Sequence, residues 1–137
     1  MSTEQWQPES EKNDNAVDFS IVESLIGQIS DSSQEQILLL VQQLKIEQQQ
    51  DLIPLMQIKQ ELWIEKYQHL NASQCKNLIF FFSAAESVYA SLIANEHSPA
   101  IAFNQLLKNM QQKLSQQELL WIRSNSQNRY IPNGKIF

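Results

Sequence analysis

The sequence predicts an all-α fold: a compact bundle of five to six helices, preceded by a disordered acidic N-terminal tail and followed by a C-terminal turn segment. Three observations predict it. The 137 residues include only 2 Gly, which leaves little hairpin chemistry for a β-sandwich. Apolar residues recur at three- and four-residue spacing through most of the chain, the period of a helix face. Residue pairs suited to helix capping open successive stretches, and the connections between them are two to five residues long, which favours antiparallel neighbours.

Residues 1–18 read as a tail. They hold several acids against the single Lys12 and no apolar run of the kind a signal peptide carries. Such a segment buries too little surface to offset the entropy of ordering it. Its lone aromatic, Trp6, reads as a mobile side chain, with a partner anchor as the alternative. The bundle domain is expected over residues 19–124. Asp18 or Ser20 opens a first helix over 21–29, weakened near its end by Gly27. Ser32 with Glu35 and Ser33 with Gln36 are overlapping capping boxes, opening a second helix to about Gln50. Asp51 caps a third, with Pro54 in its first turn, where the missing N–H costs little; it reaches about His69. Asn71 or Ser73 opens a fourth to Asn95. Ser98-Pro99 opens a fifth to about Lys113, and Ser115 with Glu118 opens a sixth to about Ser124.

Counting 100° per residue places the faces. On the second helix Ile37, Leu40, Val41 and Leu44 form one stripe, with Leu39 and Ile46 opposite. A helix apolar on two sides is sandwiched or shared with another subunit, which points to a homo-oligomer. The fourth helix carries a wide apolar arc from Leu78 to Leu92 and a back of Ser and Ala, so it reads as the central helix, contacted all round. Residues 77–95 are the longest stretch with almost no charge. A membrane span needs roughly 20 mostly apolar residues, and Glu86 and Tyr89 interrupt this one, so a core helix is expected and no membrane partner. On the sixth helix Trp121 points away from Leu119 and Ile122 and reads as exposed.

Chemistry is sparse. Two Gly exclude a Gly-rich phosphate loop, and one Cys excludes an intramolecular disulfide or a Cys-cluster zinc site. Glu65 and His69 are four apart rather than the three of a di-iron bundle, and read as a solvated face. Cys75 falls in the first turn of the fourth helix, where a helix dipole lowers a thiol pKa, yet a packed Cys is the plainer reading. No cofactor, metal or catalytic residue is expected, and the protein is read as a non-enzyme. An unpaired Cys and no export signal point to the cytoplasm.

Charge is uneven. Residues 1–96 carry 14 acids and 5 Lys, whereas residues 97–137 carry five cations and Glu118 alone. Attraction between the halves within the fold is the plainer reading. Glu86 is the only charge between Lys76 and Glu96, at the margin of the apolar arc, so it is a candidate buried charge with Arg123 and Lys108 as partners. The segment 125–137 holds Arg129, Tyr130, Ile131, Ile136 and Phe137 around Pro132-Asn133-Gly134, which suits a type I turn. Four large apolar side chains predict a segment packed on the bundle or docked into a partner.

The functional expectation is a protein–protein interaction module, an assembly, adaptor or regulatory factor, with Leu39, Ile46, Trp121, Arg123, Arg129, Tyr130, Ile131, Ile136 and Phe137 as candidate interaction residues. Two alternatives belong to other classes. One is a nucleic-acid-binding regulator using the helices near 98–124, although the second of them has Arg123 as its only cation. The other is a small-ligand sensor with an aromatic pocket around Phe80, Phe81, Phe82 and Tyr89. Deleting residues 1–15 is expected to shift the melting temperature, followed by circular dichroism, by no more than a few degrees; a large drop would show that Trp6 is docked.

Overall fold

The structure is a computed structural model that describes residues 17–133. The tail reading for residues 1–16, and the candidates Ile136 and Phe137, lie outside the described residues. Seven α-helices occur among those described: α1 (Ser20–Ile29), α2 (Gln34–Gln42), α3 (Ile46–Leu52), α4 (Gln60–Tyr67), α5 (Ala72–Val88), α6 (Pro99–Asn109) and α7 (Gln116–Asn125). Short 3-10 turns cover Ile53–Gln57, Ala90–Leu92 and Asn95–His97. The fold is all-α, with one more helix than expected.

The capping residues set the starts. Ser33 and Gln36 form a reciprocal box, as do Asn71 with Gln74 and Ser115 with Glu118. Each box satisfies two backbone donors that a helix start leaves without partners. The Ser98 hydroxyl accepts from the Ala100 N–H at 3.2 Å, with Pro99 at the first helical position.

The ends depart from the sequence reading for tertiary reasons. The long second helix breaks at residues 43–45, where the Gln48 side chain turns back to accept the Lys45 N–H at 2.9 Å. The break swings a new helix into place so that Leu44 and Leu52 both reach the core. Leu39 and Ile46 therefore lie on different helices and do not form a second face of one helix opposite the Ile37–Leu44 stripe. The third predicted helix divides at Ile58 and Lys59 into the 3-10 turn holding Pro54 and the separate helix α4. The fourth stops at Val88 rather than Asn95. The fifth stops at Asn109: Gln111 adopts φ 62°, and the N–H groups of Gln111 and Gln112 bond Lys108 O and Leu107 O, a Schellman ending in which Gln stands where Gly is usual.

Helix α5 is the axis. It packs against α6, α2, α7 and α1, and every residue from Asn77 to Glu86 is buried. Asn77 Nδ2 donates to Ile29 O at 2.9 Å, closing the C-terminal end of α1. Beside α5 sits an aromatic cluster centred on Trp63, with ring centroids of Phe19, Phe82 and Phe103 at 5.2, 5.6 and 5.6 Å, mostly edge-on, the favoured geometry for ring quadrupoles. Tyr67 joins it, and its hydroxyl donates to Glu23 Oε2 at 2.7 Å. Phe80 packs edge-on against Trp121, with centroids 5.3 Å apart. Phe80, Phe81 and Phe82 thus fill the interior rather than line a ligand pocket. Among the described residues no helix is long and apolar enough to cross a membrane.

The end of the described chain folds back on its own bundle. Ile131 and Pro132 are buried, and Asn104 Nδ2, on α6, donates to Pro132 O at 3.1 Å. Burying one large aliphatic side chain contributes about 1.5–3 kcal/mol, and a buried amide left unpaired costs about 1–3 kcal/mol. Truncation after Gln127 is therefore expected to lower unfolding free energy by about 3 kcal/mol, read as a lower urea midpoint with a similar m-value; an unchanged midpoint would show that the segment adds nothing to the fold.

Candidate functional site

The C-terminal end of α5 is where three chain segments meet. At Tyr89 the backbone turns extended, and the Tyr89 hydroxyl donates to Val41 O at 2.7 Å. Three residues earlier Glu86 points inward and is only 5% exposed. Its Oε1 accepts from the Ala94 N–H at 3.0 Å and from Asn128 Nδ2 at 2.9 Å. Its Oε2 accepts from the Ser98 hydroxyl. Asn128 Nδ2 also donates to Asn95 O at 2.8 Å, and Asn128 Oδ1 accepts from the Tyr130 N–H at 2.9 Å. One carboxylate and one amide thereby hold α5, the 94–98 loop and the 126–130 segment together. Asn95 takes φ 52° to present its carbonyl, a conformation Asn tolerates better than most residues.

Glu86 is buried as expected, but its partners differ. Arg123 is exposed, and Lys108 Nζ donates instead to Asn133 Oδ1 at 3.2 Å. Neutral donors satisfy the carboxylate at lower desolvation cost than a second buried ion would incur. Burial pushes the Glu86 carboxyl above its usual 4.5, opposed first by the Ser98 hydroxyl and then by the Ala94 N–H and Asn128. Sequence reasoning missed both side-chain partners. Ser98 was legible only as a helix cap, and Asn128 only as part of a polar linker.

Three adjoining clefts open around this knot; the first and third share the wall formed by residues 126–128, and Gln127 lines all three. The first, about 350 Å³, exposes Val88 and Ile93 beside Glu86. Val88 is 41% and Ile93 48% exposed, so two apolar side chains face solvent in one concavity. The second, about 540 Å³, includes His97, Arg129 and Tyr130. The third, about 220 Å³, includes Arg123, Arg129, Ile122 and Ile131. A separate cleft of about 370 Å³ lies between Val17, Ile21 and Pro54 and contains none of the candidate residues.

The remaining candidates disperse. Leu39 and Ile46 are 54% and 67% exposed. Trp121, expected to be exposed, is half-buried against Phe80, because α7 packs on α5 through Trp121 and Ile122 together; Leu120 faces solvent instead. Arg129 is exposed with its guanidinium 5.8 Å from the half-buried Tyr130 ring, and Ile131 is a core residue. Among the described residues the two parts are joined by Lys76 of the acidic part with Glu118 of the basic part at 3.2 Å, and by Glu96 with His97 at 3.9 Å. Burial raises the Cys75 thiol to about 11, against the dipole-lowered value that its place in the helix suggested, so no thiolate forms near neutrality. Among the described residues no group of three or more His, Cys, Asp or Glu is placed to hold a metal ion. Comparison of the chain with protein-family models, curated proteins and solved structures finds no match.

Because the folded state raises the Glu86 pKa, it retains a proton that the unfolded chain releases once pH passes 4.5. This contribution to stability is fully present below that pH and is lost as pH rises through the raised value. Glu86→Gln, which cannot titrate, is expected to flatten the fall in urea-unfolding free energy over that window; an unaltered slope would place the titration elsewhere.

Proposed function

We propose that the protein is a non-enzymatic protein–protein interaction module, an adaptor or regulatory factor, whose docking groove is the concavity at the C-terminal end of α5. The observation that carries this reading is the exposure of Val88 and Ile93 side by side in the 350 Å³ cleft, against walls held in place by the Glu86–Ser98–Asn128 network. A partner side chain entering it would bury apolar surface on both molecules, at about 25 cal/mol per Å². A groove already held open loses little entropy on binding.

A second reading, homo-oligomerisation, is supported by the exposure of Leu39, Ile46 and Ile53 on successive elements α2, α3 and the turn that follows. A stable homodimer buries roughly 1,200 Å² or more. The nucleic-acid reading has less support: α7 has Arg123 as its only cation, whereas duplex binding rests on several phosphate contacts. For the sensor reading, none of Phe80, Phe81 and Phe82 lines any of the four clefts above.

Affinity capture from the native host separates the first two. Ile93→Asp is expected to lose a partner that wild type recovers, while Leu39→Asp keeps it and sediments as wild type does. Loss of an oligomer on Leu39→Asp, with the same proteins recovered by Ile93→Asp, would favour self-association over the adaptor reading.

A further inference from the structure

The third cleft, beyond the wall of residues 126–128, supplies what the lining of the first cleft lacks: cations. Arg123, in the last turn of α7, and Arg129, just past the wall, both line it, together with Ile122 and Ile131; among the described residues no carboxylate lines it. Both arginines are exposed. The ion pairs within 4.0 Å among the described residues join Lys76 to Glu118 and His97 to Glu96 and involve neither arginine. Glu96 flanks the neighbouring cleft that Arg129 also lines. Two cations in one small concavity repel each other and gain by sharing an anion.

We propose that Arg123 and Arg129 form a clamp for a side-chain carboxylate on a partner protein, in a segment whose adjacent apolar side chain occupies the Val88–Ile93 cleft. The inference rests on the adaptor reading and specifies its ligand: an acidic peptide with one large apolar residue beside its Asp or Glu. The backbone here favours a carboxylate over a phosphate. Phosphate sites recruit several backbone N–H groups, and three of those along residues 126–131 are already engaged. The Asn128 N–H bonds Ser126 Oγ at 3.1 Å, the Tyr130 N–H bonds Asn128 Oδ1 at 2.9 Å, and the Ile131 N–H bonds Asn128 O at 3.2 Å. The two guanidinium groups are exposed, and each fork matches the two oxygens of a carboxylate. The shared wall places the two subsites back to back, so one short extended segment crossing residues 126–128 reaches both.

The test is an amide NMR titration of the full chain with a capped peptide carrying one Leu followed by three Glu in a Gly/Ser background. Two companion peptides replace the Glu residues by Gln, or by a single phosphoserine. The Glu peptide is expected to shift amides of residues 86–95 and 122–131 and to weaken with added salt. Its affinity should fall about fivefold in either Arg123→Gln or Arg129→Gln, the upper range for an exposed ion pair. The Gln peptide should bind more weakly than the Glu peptide. Equal binding of the Glu and Gln peptides, equal binding by the double variant, or no shifts at millimolar peptide would overturn the clamp, and a phosphoserine peptide binding tenfold tighter would overturn the choice of carboxylate. The two readings fail separately. Host-partner capture lost in Ile93→Asp but kept in the arginine variants leaves the adaptor and removes the clamp. Peptide binding lost in the arginine variants but kept in Ile93→Asp leaves the clamp and removes the apolar groove.

Discussion

A carboxylate taken out of water must be given hydrogen bonds or a counter-ion, and Glu86 receives the former from three places along the chain. The Ala94 N–H, the Ser98 hydroxyl and the Asn128 amide converge on it from residues 8, 12 and 42 positions away. Each donor fixes a segment. Ala94 brings the chain back over the end of α5, Ser98 sets the start of α6 while also capping it, and Asn128 brings in the segment after α7. Between α5 and α6 the chain has only short 3-10 turns, and the segment after α7 is irregular, so neither has a long ladder of its own to hold it in place. A single buried anion performs that role, and the low dielectric around it strengthens every bond it accepts.

The aromatic interior and the Glu86 knot divide the work between them. Around Trp63 of α4, edge-on rings from α5, α6 and Phe19 bury large areas without polar demands, except at Trp63 Nε1, which is buried with no hydrogen-bond partner among the described residues. That region contributes hydrophobic stabilisation but offers nothing to a partner. At the opposite extreme the knot uses polar bonds to hold loops rigid at the surface, where Val88, Ile93, Arg123 and Arg129 remain exposed. Binding groups carried on loops that a rigid scaffold positions are the common arrangement of recognition sites.

Electrostatics at this end follow from composition only indirectly. The chain carries a formal charge of -5, yet among the described residues the two exposed arginines of the third cleft share it with no acid. Local potential depends on which residues the fold gathers, and long-range charge sums average over that placement. A partner segment bearing acids would be steered to these arginines in spite of the net charge, while salt would screen the attraction over roughly 10 Å at 0.1 M.

Much of the fold was legible in the sequence because its signals are local. Ser33, Asn71, Ser98 and Ser115 satisfy donors within three residues of themselves, so these four helix starts could be read from neighbours alone, whereas the starts of α3 and α4 could not, and Asp51, read as a cap, lies inside α3. The buried position of Glu86 could also be read, from its place beside an apolar arc. The helix ends could not. The break at residues 43–45, the stop at Val88 and the left-handed Gln111 depend on which side chains the core must receive and on a carboxylate collecting donors from distant segments. The same holds for the site. Trp121 read as exposed because helical angle specifies direction but not what lies there, and Phe80 lies there. Arg123 and Arg129 share a cleft only because Asn128 draws the segment between them back to Glu86. Sequence determined most of the helices and the chemistry of each residue; tertiary structure alone decided which of those residues meet, because the bonds that join them span up to 48 positions and leave no periodic trace in the chain.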